Sequence, residues 1–543
     1  MPVIDIPYEE LKLLSGLDKP ADWFIDRVPM TGASFEGEEE GLLRFEFFPN
    51  RPDHYSVEGI ARTMKSLYSS ETYVPDYSAI SEENRLIVDR SVEDVRPVIV
   101  CSVVRGLKFT DKLLHSLIDL QEKLHITVGR KRRKVAVGIH DLRNVKFPFS
   151  YAAHGGSDYA FYPLDYESKM TLADIIEKHE KGKEFGWILG EGPFPLITDA
   201  DGTVLSMPPI INGNATRLTD RTTDVFVDVT GTSREACSGV LNIITAALAD
   251  RGGSICDMVV ENRKGICRTP DLAKRRLSVK LHDIRKMLGV DIDGSRAIEL
   301  LERMGYNASL EGNRVTALVQ PYRMDVMHPV DMVEDVAVGY GFGAFGSTAP
   351  REQTVGELSI TTKQSANISE LLIGYGYTQV VTFMISGAEF EFRRMNLEPS
   401  EGISLRNPVL EERDFLRTSL LPGMLLTLEA NKHNELPQRI FEIGDVHAPR
   451  RIMHFAAVSI HPKATFAECK SLVDAIGRDM GMDLDYSAST DPRFIEGRQM
   501  SIVVRGEKTG ILGELHPEVI TNFNLYNPIV AVEFGLGRTL ELR

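Results

Sequence analysis

The sequence has little cysteine, little tryptophan and no long apolar run. Its five cysteines (Cys101, Cys237, Cys256, Cys267 and Cys469) are scattered over 543 residues without a CxxC pair. That spacing argues against a disulfide framework or a zinc site and fits a reducing compartment. The longest apolar stretch, Val240 to Ala249, is broken by Asn242 and Thr245, whereas a membrane span needs about 20 residues. The opening MPVIDIPYEEL has acids soon after Pro7 and no basic-then-apolar leader. A soluble cytoplasmic protein with no membrane partner is the expectation. Base is also in deficit: Lys plus Arg number 62 against 78 Asp plus Glu, a net charge of −16. An acidic total disfavours indiscriminate nucleic-acid binding yet allows a local basic face. No Walker loop, GxGxxG turn after a strand, GxSxG elbow or HExxH helix occurs.

What is present is ordinary globular material, 43% hydrophobic and 26% charged, enough for about three or four domains. Residues 1–88 read as a small α/β domain: a strand over Leu42–Phe48, dense turn chemistry at Pro49-Asn50-Arg51-Pro52-Asp53, then a helix over Ser56–Tyr68. Strands dominate the next domain, 89–262, at VIVCSVVRGL, VAVGIH and FPFSYAAH. Val225, Val227 and Val229 share one face of a further strand. Thr232-Ser-Arg-Glu235 fits a capping box, and the helix after it stops near Asp250 before Gly252-Gly253. ENRKGICRTP (261–270) reads as a polar linker. A compact helical module occupies 268–346, with helices over Lys280–Leu288, Gly294–Met304 and Asp331–Tyr340 and a hairpin at NASLEGNRVTAL. After a second linker at Ser347–Gly356, residues 355–543 read as one α/β domain on antiparallel strands. Its segments are helices over Thr361–Gly374 and Leu421–Asn431, strands over Gln379–Ile385 and Arg439–Ile443, and a hairpin across Ser501–Leu515.

Four features carry chemistry. Asp331, Glu334 and Asp335 project from one side of a helix, with Asp325 six residues upstream past a turn at Pro329. Such a carboxylate set suits a hard divalent cation, Mg²⁺ where waters complete the shell. Alternatively, acids in a first turn complement the helix dipole, and Arg323 is near enough to pair one. Secondly, strand alternation puts Asp228 and Thr230 opposite the valines. Upstream, Ser206-Met-Pro-Pro-Ile-Ile-Asn212 is a rigid apolar segment bounded by two small polar side chains. Together these suit a small-ligand pocket, or merely a solvated strand face beside a proline turn. Thirdly, the cations at 130–134 could touch phosphates or simply form a charged hairpin turn. Finally, Gly535-Leu-Gly537-Arg538 superficially suggests an ATP-gripping turn, but its place near the chain end reads as a frayed terminus. His140 and Asp141, being adjacent on a strand, face opposite ways and make no general-base pair. His516 reads as a structural histidine.

Six segments in order resemble the β subunit of phenylalanyl-tRNA synthetase in its shorter archaeal/eukaryotic form. They are FFPNRPDHYSVEGIAR (47–62), VGRKRRKVAVGIHDL (128–142), LSMPPIINGNATRLTDRTTDVFVDVTGT (205–232), YRMDVMHPVDMVEDVAVGYGF (322–342), NPVLEERDFLRTSLLPGML (407–425) and RIFEIGDV (439–446). The resemblance implies an α+β multidomain fold: an editing domain, a small helical nucleic-acid-binding module and an inactive class II synthetase-like antiparallel α/β domain. It implies Mg²⁺ at Asp325, Asp331, Glu334 and Asp335, and an editing pocket at Ser206, Asn212, Asp228 and Thr230. Class II catalysis needs an α-phosphate arginine, of which Arg439 would be a vestige, and a γ-phosphate arginine, which is missing. ATP and phenylalanine would therefore bind a separate α subunit, in an α2β2 tetramer acting on tRNA(Phe). Two further readings are a non-catalytic relic that binds tRNA and a partner, and a free-standing hydrolase of misacylated tRNA. Leu420, Leu421, Met424, Leu425 and Leu428 form either a docking stripe or plain core.

Overall fold

A computed structural model describes residues 2–349, 354–447 and 450–536. The chain separates into two units, Met1–Ala349 and Pro350–Arg543. In the first unit, alternation along Val225–Gly231 places its valines in a core with Val240 and Ile244 of the helix Arg234–Asp250. This strand is central in a four-stranded antiparallel sheet, ordered Ser254–Cys256, Val98–Arg105, Val225–Gly231, Val135–Asp141. The helix is capped by Ser233, whose hydroxyl accepts from the Ala236 N–H, one residue later than Thr232. Phe45, Phe47, Ile60 and Met64, from an amino-terminal three-stranded sheet and the helix Val57–Tyr68, belong to the same core.

A seven-stranded sheet runs Ile211–Asn212, Val204–Met207, Phe194–Thr198, Phe149–His154, Arg85–Val88, Met258–Asn262, Gly265–Thr269. Residues 261–270 are therefore not simply a linker. Val260 pairs with Cys267 across a tight turn in which Asn262 Oδ1 accepts from Lys264 N–H and Gly265 has φ +129°. Only Gly supplies that backbone cheaply. The strand Arg85–Val88 joins this sheet, so a cut at residue 88 falls directly after one of its strands. The segment read as helical does contain helices, Leu281–Leu288, Gly294–Arg303 and Pro329–Tyr340, but they pack on a three-stranded sheet. Its hairpin, Asn307–Glu311 with Arg314–Val319, is joined by Arg275–Lys280. That third strand hides in sequence because Leu277 and Val279 alternate among cations.

The second unit is built on a seven-stranded sheet, antiparallel except where Thr378–Gln379 pairs with Gln438–His447. Helices Ile360–Gly374 and Phe466–Asp479 cover one face; Leu421–Ala430 and Pro517–Asn522 cover the other. Leu420, Leu421, Met424, Leu425 and Leu428 are all buried there, so the leucine stripe is core and not a docking surface. The strand expected over 379–385 is instead two short pieces, Thr378–Gln379 and Ile385–Ser386. His516 caps the helix Pro517–Asn522 by accepting from Glu518 N–H. Gly537 and Arg538 lie outside the described residues. All five cysteines are free. Burial pushes the thiols of Cys237 and Cys256 up to about 11, that of Cys469 up to about 12 and that of Cys101 further still. Cys267 is half-buried.

Candidate functional site

A cavity of about 480 Å³ opens between the strands Val135–Asp141 and Val225–Gly231, the Ser206–Gly213 segment and the helix Asp111–Ile126. Asp228 forms part of its lining, buried at the centre of the four-stranded sheet. The register sets Asp228 opposite Gly138. A Cβ at Gly138 would lie 2.3 Å from Asp228 Oδ1 and 2.7 Å from His140 Nε2, so the missing side chain is what keeps the carboxylate open. His140, two residues along the same face, places Nε2 2.8 Å from Asp228 Oδ1 and Nδ1 2.8 Å from Thr216 Oγ1. The tautomer protonated at Nε2 donates to the carboxylate and leaves Nδ1 to accept from Thr216. The partner of His140 is thus not its chain neighbour Asp141 but Asp228, across the strands.

Ser206 and Asn212 face one another across the short hairpin of Val204–Met207 and Ile211–Asn212, and both line the cavity. The Ser206 hydroxyl is buried without a partner. A buried hydroxyl left unpaired costs free energy, so this one is available to a ligand or a water. Thr230 is placed differently. Its hydroxyl accepts from Arg96 Nε at 2.8 Å and its carbonyl from Arg96 Nη2 at 2.7 Å, and it does not line the cavity. His179, which sequence reasoning missed, does: Nδ1 accepts from Lys181 N–H, Nε2 has no partner, and burial lowers the ring's pKa.

Arg132, from the cation run, folds inward to the cavity wall. It donates to the carbonyls of Pro209 and Ile210 at 3.3 and 3.0 Å and to Glu122 at 2.9 Å. Glu122 is held down to about 2, first by its hydrogen bond to His125 and then by the charges of His125 and Arg132.

Two of the four acidic residues close on Arg323. Its Nη2 lies 2.7 Å from Asp325 Oδ2 and 2.8 Å from Asp335 Oδ2, and Tyr306 donates to Asp335 as well. Asp331 Oδ2 accepts from the N–H groups of Met327 and His328, closing a capping box with His328. Glu334 is exposed. Partial burial and the charges of Asp335, Asp325 and Asp331 raise its carboxyl. Among the described residues no three such side chains converge as a metal shell. The donor chemistry, all hard oxygen, suits Mg²⁺, while two of the four carboxylates are turned to Arg323. Asp325 also sits 3.9 Å from Arg51, whose guanidinium grips Asp53 at 2.8 Å through two nitrogens. The turn segment 49–54 thus supplies charges that sequence reading took for turn chemistry alone.

In the second unit Arg439 is 3.6 Å from Glu468, while Glu442 binds Arg417 at 2.6 Å. Both strand charges are committed to internal partners.

Two family models match in tandem: the tRNA synthetase B5 domain over residues 277–342 and the phenylalanyl tRNA synthetase beta chain CLM domain over 346–536. These matches define a tRNA-synthetase protein. Curated relatives extend the likeness to the whole chain. Phenylalanine–tRNA ligase beta subunits of Methanococcoides burtonii and Archaeoglobus fulgidus are 41% and 40% identical over 99% of this chain and 100% and 98% of theirs. The crystal structure of an N-terminal fragment of the phenylalanyl-tRNA synthetase beta-subunit from Pyrococcus horikoshii matches at 37% identity and a TM-score of 0.61. It covers 63% of this chain and 100% of the fragment. The chain belongs to the phenylalanine–tRNA ligase beta subunit family.

Proposed function

We propose that this chain, with a separate α subunit in an α2β2 tetramer in the cytoplasm, supports ATP-dependent attachment of phenylalanine to tRNA(Phe). In the same reading it hydrolyses mischarged tyrosyl-tRNA(Phe) in the cavity floored by Asp228. Tyrosine is phenylalanine plus one hydroxyl. An apolar synthetic pocket rejects an added hydroxyl only about 10²-fold, whereas a pocket built to bind it rejects the analogue lacking it by about 10⁴–10⁵. The cavity's size lies within the range of about 300–1,000 Å³ usual for small-molecule sites. The observation that carries the reading is a buried carboxylate, oriented by His140 and kept clear by Gly138, facing that cavity. Asp228 accepts the tyrosyl hydroxyl. Ser206 and Asn212 orient the ester carbonyl and a water, and Thr230 contributes from behind by fixing Arg96. With the bounds moved to keep its sheet whole, the proposed editing domain is 85–269, the nucleic-acid-binding module 275–346 and the catalytic-like domain 355–543.

Replacing Asp228 by Ala in the reconstituted complex should leave phenylalanylation intact and lower tyrosyl-tRNA hydrolysis by at least about 100-fold. Unchanged hydrolysis removes Asp228, and no hydrolysis in the unmodified complex leaves the relic reading. Synthesis is assigned to the α subunit because the second unit's Arg439 and Glu442 are already paired. Docking of that subunit is supported by apolar side chains that the second unit leaves in solvent, notably Phe383 at 80% and Val409 at 100% exposure. Among the described residues Asp331 and Glu334 have no cation paired to them, so these two, joined by Asp325 and Asp335 where these turn from Arg323, would hold Mg²⁺ as a structural charge. If so, Mg²⁺ raises the melting temperature and Asp331→Asn with Glu334→Gln cancels the increase. No shift in the unmodified chain would leave Arg323 as the neutralising cation.

A further inference from the structure

The cation run at 129–134 is a built element and not a loose surface turn. Arg130, Lys131 and Arg132 all have left-handed backbones, with φ of 49°, 55° and 65°, a conformation that is unfavourable for any residue but glycine. The surrounding structure over-determines it. Lys134 N–H donates to the Gly129 carbonyl at 2.8 Å, and Arg132 N–H to that of His125 at 3.1 Å. Buried Arg96 donates to the carbonyls of Arg132 and Arg133 at 3.1 and 3.3 Å. Thr232 N–H donates to that of Lys134 at 3.1 Å. Arg96 is the same side chain that fixes Thr230, and inward-turned Arg132 forms cavity wall, so turn and cavity are one construction.

The side chains on its outer face carry three cations within four residues. Arg130, Lys131 and Arg133 are exposed. Among the described residues, none of them has a carboxylate within ion-pair distance, in a protein with 78 acids to 62 bases. A solvated charged turn would need neither an internal arginine tether nor three strained residues. Unpaired cations on a tethered turn whose Arg132 walls the cavity are what a polyanion tethered to that cavity's ligand would need.

We propose that this turn is a phosphodiester clamp: the last phosphates of an RNA 3′ end cross Arg130, Lys131 and Arg133 as its terminal residue enters the cavity. The clamp rests on the reading of the cavity as an ester-hydrolysing site. Its ligand is a single strand, whose backbone can reach the rim without a duplex having to enter. The turn is a positioning element. It acts on capture of the strand, and bond breaking stays in the cavity.

The test uses the full αβ complex. Arg130→Gln, Lys131→Gln and Arg133→Gln together keep the side-chain stems and leave Arg132 in place. KM for tyrosyl-tRNA hydrolysis should rise about 10- to 100-fold at physiological salt with kcat within about 2-fold, and the slope of log K against log salt should fall by about 2. Hydrolysis of 3′-O-tyrosyl-adenosine, which has no phosphate, should not change. Independently of any variant, replacing the last three phosphates of the tRNA by methylphosphonates should weaken binding to the unmodified complex equally. Combining the two changes should add nothing further. An unchanged KM and salt slope in the variant, or methylphosphonates without effect, overturns the clamp. Absence of tyrosyl-ester hydrolysis in the unmodified complex would instead sink the editing reading, and the binding measurements would still judge the clamp.

Discussion

His54 shows how far one residue can depart from its free chemistry. It is fully buried beside Arg51, Asp53 and Thr63. Burial, followed by the Arg51 charge, holds its ring down to about 3. The folded chain therefore refuses a proton that the unfolded chain takes up near its ordinary value of 6.5. The stabilisation from His54 is complete above that ordinary value and is lost as pH falls towards the folded one, at about 1.4 kcal/mol per pH unit. Melting followed from about pH 7.5 to about pH 5 should thus cost the unmodified chain roughly 2 kcal/mol more than His54→Gln. Equal losses in the two would show that His54 is protonated in the fold. Asp53, held far below the carboxylate range against the desolvation that opposes it by the charge and hydrogen bond of Arg51, stays ionised throughout that window.

At the level of elements, the strand Val135–Asp141 carries the site's least tolerant position. Gly138→Ala would drive a methyl into Asp228 and His140. Neither neighbour can retreat, since Asp228 is in the sheet centre and His140 is held by Thr216. Tyrosyl-tRNA hydrolysis should fall by at least about 10-fold while phenylalanylation persists; full hydrolysis would mean that Asp228 does not contact the ligand. Much of this strand system was legible from residues alone. The valines of Val225–Gly231 announced which face is core, and Asp228 on the other face followed from period two. What was not legible is pairing across strands, because register depends on partners distant in sequence. Gly138 opposite Asp228, and hence His140, became visible only with that register. The leucines at 420–428 were ambiguous for a related reason: period alone does not say whether an apolar face meets its own sheet or another chain. The turn at 129–134 was read as charged, but its inward arginine was not, since nothing local distinguishes Arg132 from its neighbours.

For the molecule as a whole, the division at Ala349 separates the cavity from the second unit's buried Arg417–Glu442 pair. Every residue assigned to tyrosyl-tRNA hydrolysis lies in the first unit. Residues 1–349 expressed alone should fold, and should hydrolyse tyrosyl-tRNA with a kcat within about 10-fold of the complex. The same fragment should retain no α subunit. A fragment that unfolds, or that captures the α subunit as well as the full chain does, would place part of the editing or docking machinery beyond residue 349. Substituting Phe383→Asp with Val409→Asp in the full chain is the complementary experiment. It should leave the melting temperature within about 2 °C while releasing the α subunit, because both side chains already lie in solvent.

The cysteines give this two-unit chain an internal clock. Thiolate is the reactive form, and four of the five thiols are withheld from it by burial. A disulfide-exchange dye should therefore colour one site quickly, Cys267 on the strand Gly265–Thr269. The others can report only when their surroundings open. Three of them belong to the first unit and Cys469 alone to the second. The order in which the slow signals arrive, mapped by peptide mass, would then tell which unit breathes first, with no residue changed.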